Sequence, residues 1–104
     1  MKEQNPKLTD IEIQFLLASY PLWKLKEEDG FHSLCFEYRF NTFQNAFVFL
    51  TKLAFVSQSL DHHAEIWNVY NRVRLKLYTH DQKTLTKKDL DFIKLLMEPP
   101  NHWN

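Results

Sequence analysis

From Ser33 to Phe40 polar and apolar residues alternate without a break: Leu34, Phe36, Tyr38 and Phe40 stand against Ser33, Cys35, Glu37 and Arg39. A period of two is that of a half-buried strand, and its apolar face needs a second layer to cover it. The period then changes at once. Phe43, Ala46, Phe47, Leu50, Leu53, Ala54 and Ser57 recur at three and four, so one stripe of a helix packs on a sheet. This helix is expected to start near Asn41, with Gln44 three residues on, and to end near Leu60. Phe49, Val48 and Val56 lie off the stripe and are expected to face away from the core, where apolar residues would mark a subunit or partner interface.

The rest of the chain repeats these two patterns. Thr9 and Glu12 form a capping box, Leu8 can staple onto Ile13, and Phe15, Leu16 and Tyr20 continue an apolar face toward Pro21. Trp23 and Leu25 alternate with polar neighbours ahead of Asp29-Gly30, a hairpin-turn pair. Glu65–Tyr78 holds two strands turning around Tyr70-Asn71. Val73, Leu75 and Leu77 give it a buried face, and Arg72, Arg74 and Lys76 a basic one. Thr86 with Asp89 caps a last helix, Leu85 and Leu90 make its staple, and Ile93, Leu96 and Met97 its apolar side. The order αββαββα predicts an α+β fold, a four-stranded antiparallel sheet with three helices on one face. One domain over residues 8–98 is expected, between short polar tails, Met1–Lys7 and Pro99–Asn104.

Composition removes several functions. The 13 basic and 13 acidic side chains give a formal net charge of zero. That lacks the positive field of a nucleic-acid binder. The basic stretch Arg72, Arg74, Lys76, Lys83, Lys87 and Lys88 reads as a solvated face ahead of an anion-attracting one. Gly30 is the single glycine, and phosphate-cradling loops need several. Cys35 is the single cysteine, so no internal disulfide forms. No apolar run approaches membrane-spanning length, and the N-terminus lacks a signal-peptide core. The expectation is a soluble protein of a reducing compartment, most simply the cytoplasm. Of 104 residues nine are Phe, more than a small core needs, so some are expected at a ligand site or interface.

The chemistry lies in the histidines. His62 and His63 fall between the central helix and the third strand, and His80 just past the fourth. If those strands pair as a hairpin, the three imidazoles converge at one end of the sheet. Three imidazoles suit a metal site or proton transfer near neutral pH. Adjacent histidines in extended chain point apart, and no HExxH-type pair or cysteine cluster is present. A metal is therefore the less favoured of the two chemistries, and on composition alone surface or partly buried histidines with no role stand level with any chemistry.

Asp61-His62-His63-Ala64-Glu65-Ile66-Trp67-Asn68-Val69-Tyr70-Asn71 resembles the signature of the pterin-4a-carbinolamine dehydratases, in which two histidines precede an aromatic, a third histidine and an aspartate. Tyr70, His80 and Asp89 stand in register with the last three. Phe40–Leu50 is similar to the family's central helix, and the likeness runs from about Leu8 to Leu96. It implies dehydration of a 4a-hydroxytetrahydropterin to a quinonoid dihydropterin in tetrahydropterin recycling. It also implies His62, His63, His80 and Asp89 as catalytic residues, no metal or cofactor, and self-association as a dimer or tetramer. Gln58, Asp61 and Trp67 are expected to contact the pterin. Asp89 would orient His80, cap its helix, or both. Tyr70 is expected to be a packed strand aromatic.

Three positions depart from the family pattern. Gln58 replaces a charged residue, Ala64 a proline, and Ile66 a tryptophan, for which Trp67 next door would stand in as an aromatic wall. They leave open slower turnover, a different pterin, or a member that binds pterin without chemistry. A further alternative is an interaction protein, because animal members of the family also serve as dimerisation cofactors of a homeodomain transcription factor.

Overall fold

The computed structural model describes residues 4–98. The tail Pro99–Asn104 lies outside them. The described part orders its elements as α1 (Asp10–Ser19), β1 (Trp23–Glu28), β2 (Phe31–Arg39), α2 (Phe43–Leu60), β3 (Glu65–Val69), β4 (Arg72–Leu77) and α3 (Lys87–Met97). The four strands form one antiparallel sheet in the order β1-β2-β4-β3. This is the α+β architecture expected, with the helices covering the sheet.

Local chemistry sets each boundary. Asp29 and Gly30 both take positive φ, 53° and 82°, between the paired Glu28 and Phe31. That is the geometry of a type I′ hairpin, which matches strand twist. Thr9 accepts from the Glu12 backbone while the Glu12 carboxylate accepts from the Thr9 backbone, and Leu8 and Ile13 are buried above them. α3 repeats the box with Thr86 and Asp89. α2 starts one residue later than expected, on Thr42, whose hydroxyl accepts from Asn45 N–H.

The core is an aromatic spine between sheet and α2. Phe49 stacks on Phe36 with ring centroids 5.2 Å apart and meets Phe40 at 5.3 Å, while Trp23 meets Phe36 at 5.2 Å. Removing such a buried ring costs about 3–5 kcal/mol. The apolar stripe of α2 is therefore turned from its expected place. Phe49 is fully buried and Val56 only 7 % exposed, whereas Phe43, Phe47, Ala54 and Phe55 lie exposed with Val48. Phe15 of α1 is also exposed. Tyr70 does not pack in the sheet: it holds the β3–β4 turn at φ 53°, exposed, its ring parallel to Phe43.

Part of the stretch that reads as a polar tail is tied to the body. Lys7 bridges Thr86, Lys87 N–H donates to the Pro6 carbonyl, and Leu8 N–H to that of Leu85. The N-terminal segment thus runs antiparallel to the β4–α3 connection.

Candidate active site

Two chain reversals bring the histidines together. α2 ends on Asp61 in the left-handed conformation, φ 48° and ψ 50°. The His62 N–H bonds back to the Ser57 carbonyl and the Asp61 N–H to that of Gln58, a Schellman-type stop. His62 and His63 follow at once, before β3. On the other side, β4 runs past Leu77 into a tight loop in which Thr79 and Thr84 bridge. Glu65 pairs with Lys76, so the start of β3 and the end of β4 are neighbours. His62, His63 and His80 consequently line one cavity of about 330 Å³, with Asp61, Thr79, Asp81, Gln82, Lys88 and, from the N-terminal segment, Gln4 and Asn5. The volume falls in the range of small-molecule sites, about 300–1,000 Å³.

The three imidazoles are not equivalent. His62 is 7 % exposed and its ring meets Phe92 edge-on. Its Nε2 lies 2.6 Å from Oδ1 of the fully buried Asp89. A carboxylate only accepts, so Nε2 carries the proton, and Nδ1 makes no hydrogen bond with the described residues. His63 is exposed. His80 is exposed too, its ring 4.2 Å from that of Tyr78. Asp89 orients His62 rather than the expected His80, and caps α3 as well through Oδ2 and Thr86 N–H.

The remaining sequence candidates divide. Asp61 lines the cavity, and its carbonyl accepts from Lys88 Nζ at 3.4 Å. Gln58 is exposed on the last turn of α2 and outside the cavity lining. Trp67 lies elsewhere: it pairs with Arg74 in the register of β3 and β4, and the guanidinium groups of Arg74 and Arg72 sit 4.4 and 5.5 Å from its ring centre. It borders a different cleft with Ile66, so neither gives the histidine cavity an aromatic wall. Among the described residues no group of three or more His, Cys, Asp or Glu is arranged to hold a metal ion.

Sequence reasoning missed Thr79, Gln82 and Lys88. All three line the cavity, and no motif points to them. The signal available for Thr79 is its place beside His80, two residues past the end of a buried strand.

Residues 6–98 match the family model of the pterin 4 alpha carbinolamine dehydratases. The chain belongs to this family. A provisionally named pterin-4-alpha-carbinolamine dehydratase of Novosphingobium aromaticivorans is 40% identical over 90 residues, covering 86% of this chain and 92% of the relative. One of Prochlorococcus marinus, also provisional, is 39% identical over 93 residues, or 89% and 93% of the two chains. Among solved structures, a transcriptional coactivator/pterin dehydratase from Brucella melitensis superposes with a TM-score of 0.75 at 31% identity, covering 86% of this chain and 94% of its own. A pterin dehydratase-like protein identified as a RuBisCO assembly factor in the alpha-carboxysome shares the fold, with a TM-score of 0.59 at 17% identity over 71% and 83% of the chains. No helix among the described residues is long and apolar enough to cross a membrane.

Proposed function

We propose that this family member dehydrates a 4a-hydroxytetrahydropterin by histidine acid–base catalysis. The observation that supports it is the meeting of His62, His63 and His80 on one cavity, with Asp89 buried behind His62. The hydroxyl on carbon 4a takes a proton and leaves as water while the N5 lone pair closes the C4a–N5 double bond. N5 then gives up its own proton, so one proton is taken and one returned. The products are a quinonoid dihydropterin and water, as tetrahydropterin recycling needs. Imidazole suits both transfers near neutral pH, and each positioned acid or base contributes about 10²–10⁴-fold. Asp61 and Lys88 add polar groups to bind the pterin, and the reducing cytoplasm is the setting that the lone Cys35 fits.

The test follows breakdown of 4a-hydroxytetrahydropterin by absorbance, with His63→Ala as control. Acceleration lost in the folded mutant supports the dehydratase. No acceleration by folded wild-type protein rejects it.

A second reading concerns association. Phe43, Phe47, Val48 and Phe55 leave α2 with exposed apolar side chains, which favours a homodimer or homotetramer, or a partner protein. This role is independent of the histidines and compatible with catalysis.

A further inference from the structure

Behind His62 lies a chain of hydrogen bonds whose directions can be worked out one by one. Asp89 is fully buried and its carboxylate only accepts. Thr79, 5 % exposed in the loop just past β4, places Oγ1 2.8 Å from Asp89 Oδ2, so the Thr79 hydroxyl is the donor. That spends its single proton. The second contact of Thr79, 2.7 Å to Thr86 Oγ1, therefore has the Thr86 hydroxyl as donor. Thr86 Oγ1 remains free to accept from Lys88 N–H as the helix cap. Oδ2 thus receives two donors, Thr79 Oγ1 from the strand side and Thr86 N–H from the helix side, at 2.8 and 2.9 Å. Among the described residues, Oδ1 is left to His62 alone.

We propose that Thr79 is a positioning residue, which with Thr86 locks the Asp89 carboxylate so that His62 keeps its proton on Nε2 and offers a bare Nδ1 to the cavity. Thr86 N–H by itself holds one oxygen from one side and lets the carboxylate turn about its last bond. The second donor, arriving from the loop after β4, removes that freedom. The capping box explains Thr86 and Asp89 without any site. It does not call for Thr79, which belongs to another element and also lines the cavity. A hydroxyl there serves the orientation of an imidazole, in the way that a partner on one ring nitrogen decides the state of the other. The consequence for catalysis rests on the dehydratase reading; the tautomer does not.

The experiment uses the full chain labelled with nitrogen-15 histidine, as wild type, Thr79→Val and Thr79→Ser. At a pH where the rings are neutral, the His62 nitrogens of the wild type should report one fixed tautomer, protonated at Nε2. Thr79→Ser should keep it, and Thr79→Val should move both signals toward averaged values. In the dehydration assay Thr79→Val should lower kcat by about tenfold or more, the scale of one hydrogen bond to a charged group, with KM unchanged and Thr79→Ser restoring the rate. A wild-type His62 protonated at Nδ1 overturns the proposal, and this arm stands even if Thr79→Val fails to fold. A Thr79→Val protein with unchanged tautomer and kcat overturns it too, as does a rise in KM alone, which would put Thr79 in contact with substrate. A wild type with the expected tautomer and no dehydratase activity removes the proposed function and leaves the role of Thr79 in place.

Discussion

Asn5 and Gln82, 77 positions apart, exchange two hydrogen bonds of 3.0 Å: Asn5 N–H donates to Gln82 Oε1, and Gln82 Nε2 to the Asn5 carbonyl. A side-chain amide here imitates the pairing of a strand. It extends the backbone pairing of Lys7 and Leu8 by one more step, and it makes the N-terminal segment a wall of the histidine cavity.

Gln82→Ala is expected to free the Asn5 amide while Leu8, bonded to the Leu85 carbonyl, keeps its protection. Hydrogen exchange should show this as a local change at Asn5. Pterin binding, followed by fluorescence titration, should weaken by about two- to tenfold, the value of one neutral hydrogen bond. Equal loss of protection at both amides would mean that the clamp holds the whole segment and not only its tip.

Asp89→Ala deprives His62 Nε2, Thr79 Oγ1 and Thr86 N–H of their common acceptor. The expected loss of stability in urea unfolding is at least about 2 kcal/mol, since buried donors are left unmet. Asp89→Asn should be milder for stability, because its carbonyl can still cap α3. It should be as severe for activity, because the amide cannot hold the same three donors. A loss below about 0.5 kcal/mol for the alanine variant, the range of surface changes, would contradict the network described.

The exposed face of α2 gives a third test. Phe47 is 53 % and Phe55 74 % exposed. Phe47→Glu with Phe55→Glu should turn an oligomer into a monomer by light scattering while far-ultraviolet circular dichroism stays native. A wild type that is already monomeric would end the self-association reading.

Acid should weaken the first helix in a defined way. Hydrogen bonds from the Thr9 backbone, and then from the Thr9 side chain, hold the Glu12 carboxyl below its usual value of 4.5. The folded state thus favours the charged form. Its contribution is complete above the unfolded value and is lost as pH falls through the lower folded one. Glu12→Gln should therefore flatten the acid limb of a plot of Tm against pH, and an unchanged limb would exclude the effect.

The sequence made most of the architecture legible because caps, turns and periods agreed with one another. Thr9-Glu12, Asp29-Gly30 and Thr86-Asp89 each mark a boundary by local hydrogen bonding or backbone freedom, which depends on no distant residue. α2 was harder for a physical reason. It is apolar on nearly all sides, so Phe43-Phe47-Leu50-Ala54 and Ala46-Phe49-Leu53-Val56 satisfy the same spacing, and only the sheet decides between them. The meeting of the histidines followed from strand pairing, but the partner of Asp89 did not. His62 and His80 both lie near α3 by topology, and the choice rests on side-chain directions. Trp67 failed as an aromatic wall by its place in β3: opposite Arg74, with its ring on the basic face, it borders a cleft apart from the histidines, as Ile66 does. The roles of Thr79 and Gln82 come from contacts across elements, which no local pattern records.

The Asp61 reversal makes α2 a ruler. His62 and His63 come directly off its last turn, and their directions are fixed by counting residues from the ring of Phe49 in the core. One residue added or removed between Phe49 and Asp61 would rotate the helix end by about 100° and shift it by about 1.5 Å. Asp89 would then face no imidazole. The outer side of α2 thus stands apart from the chemistry of the cavity, whereas the length of the helix between core and cavity sets where the imidazoles fall.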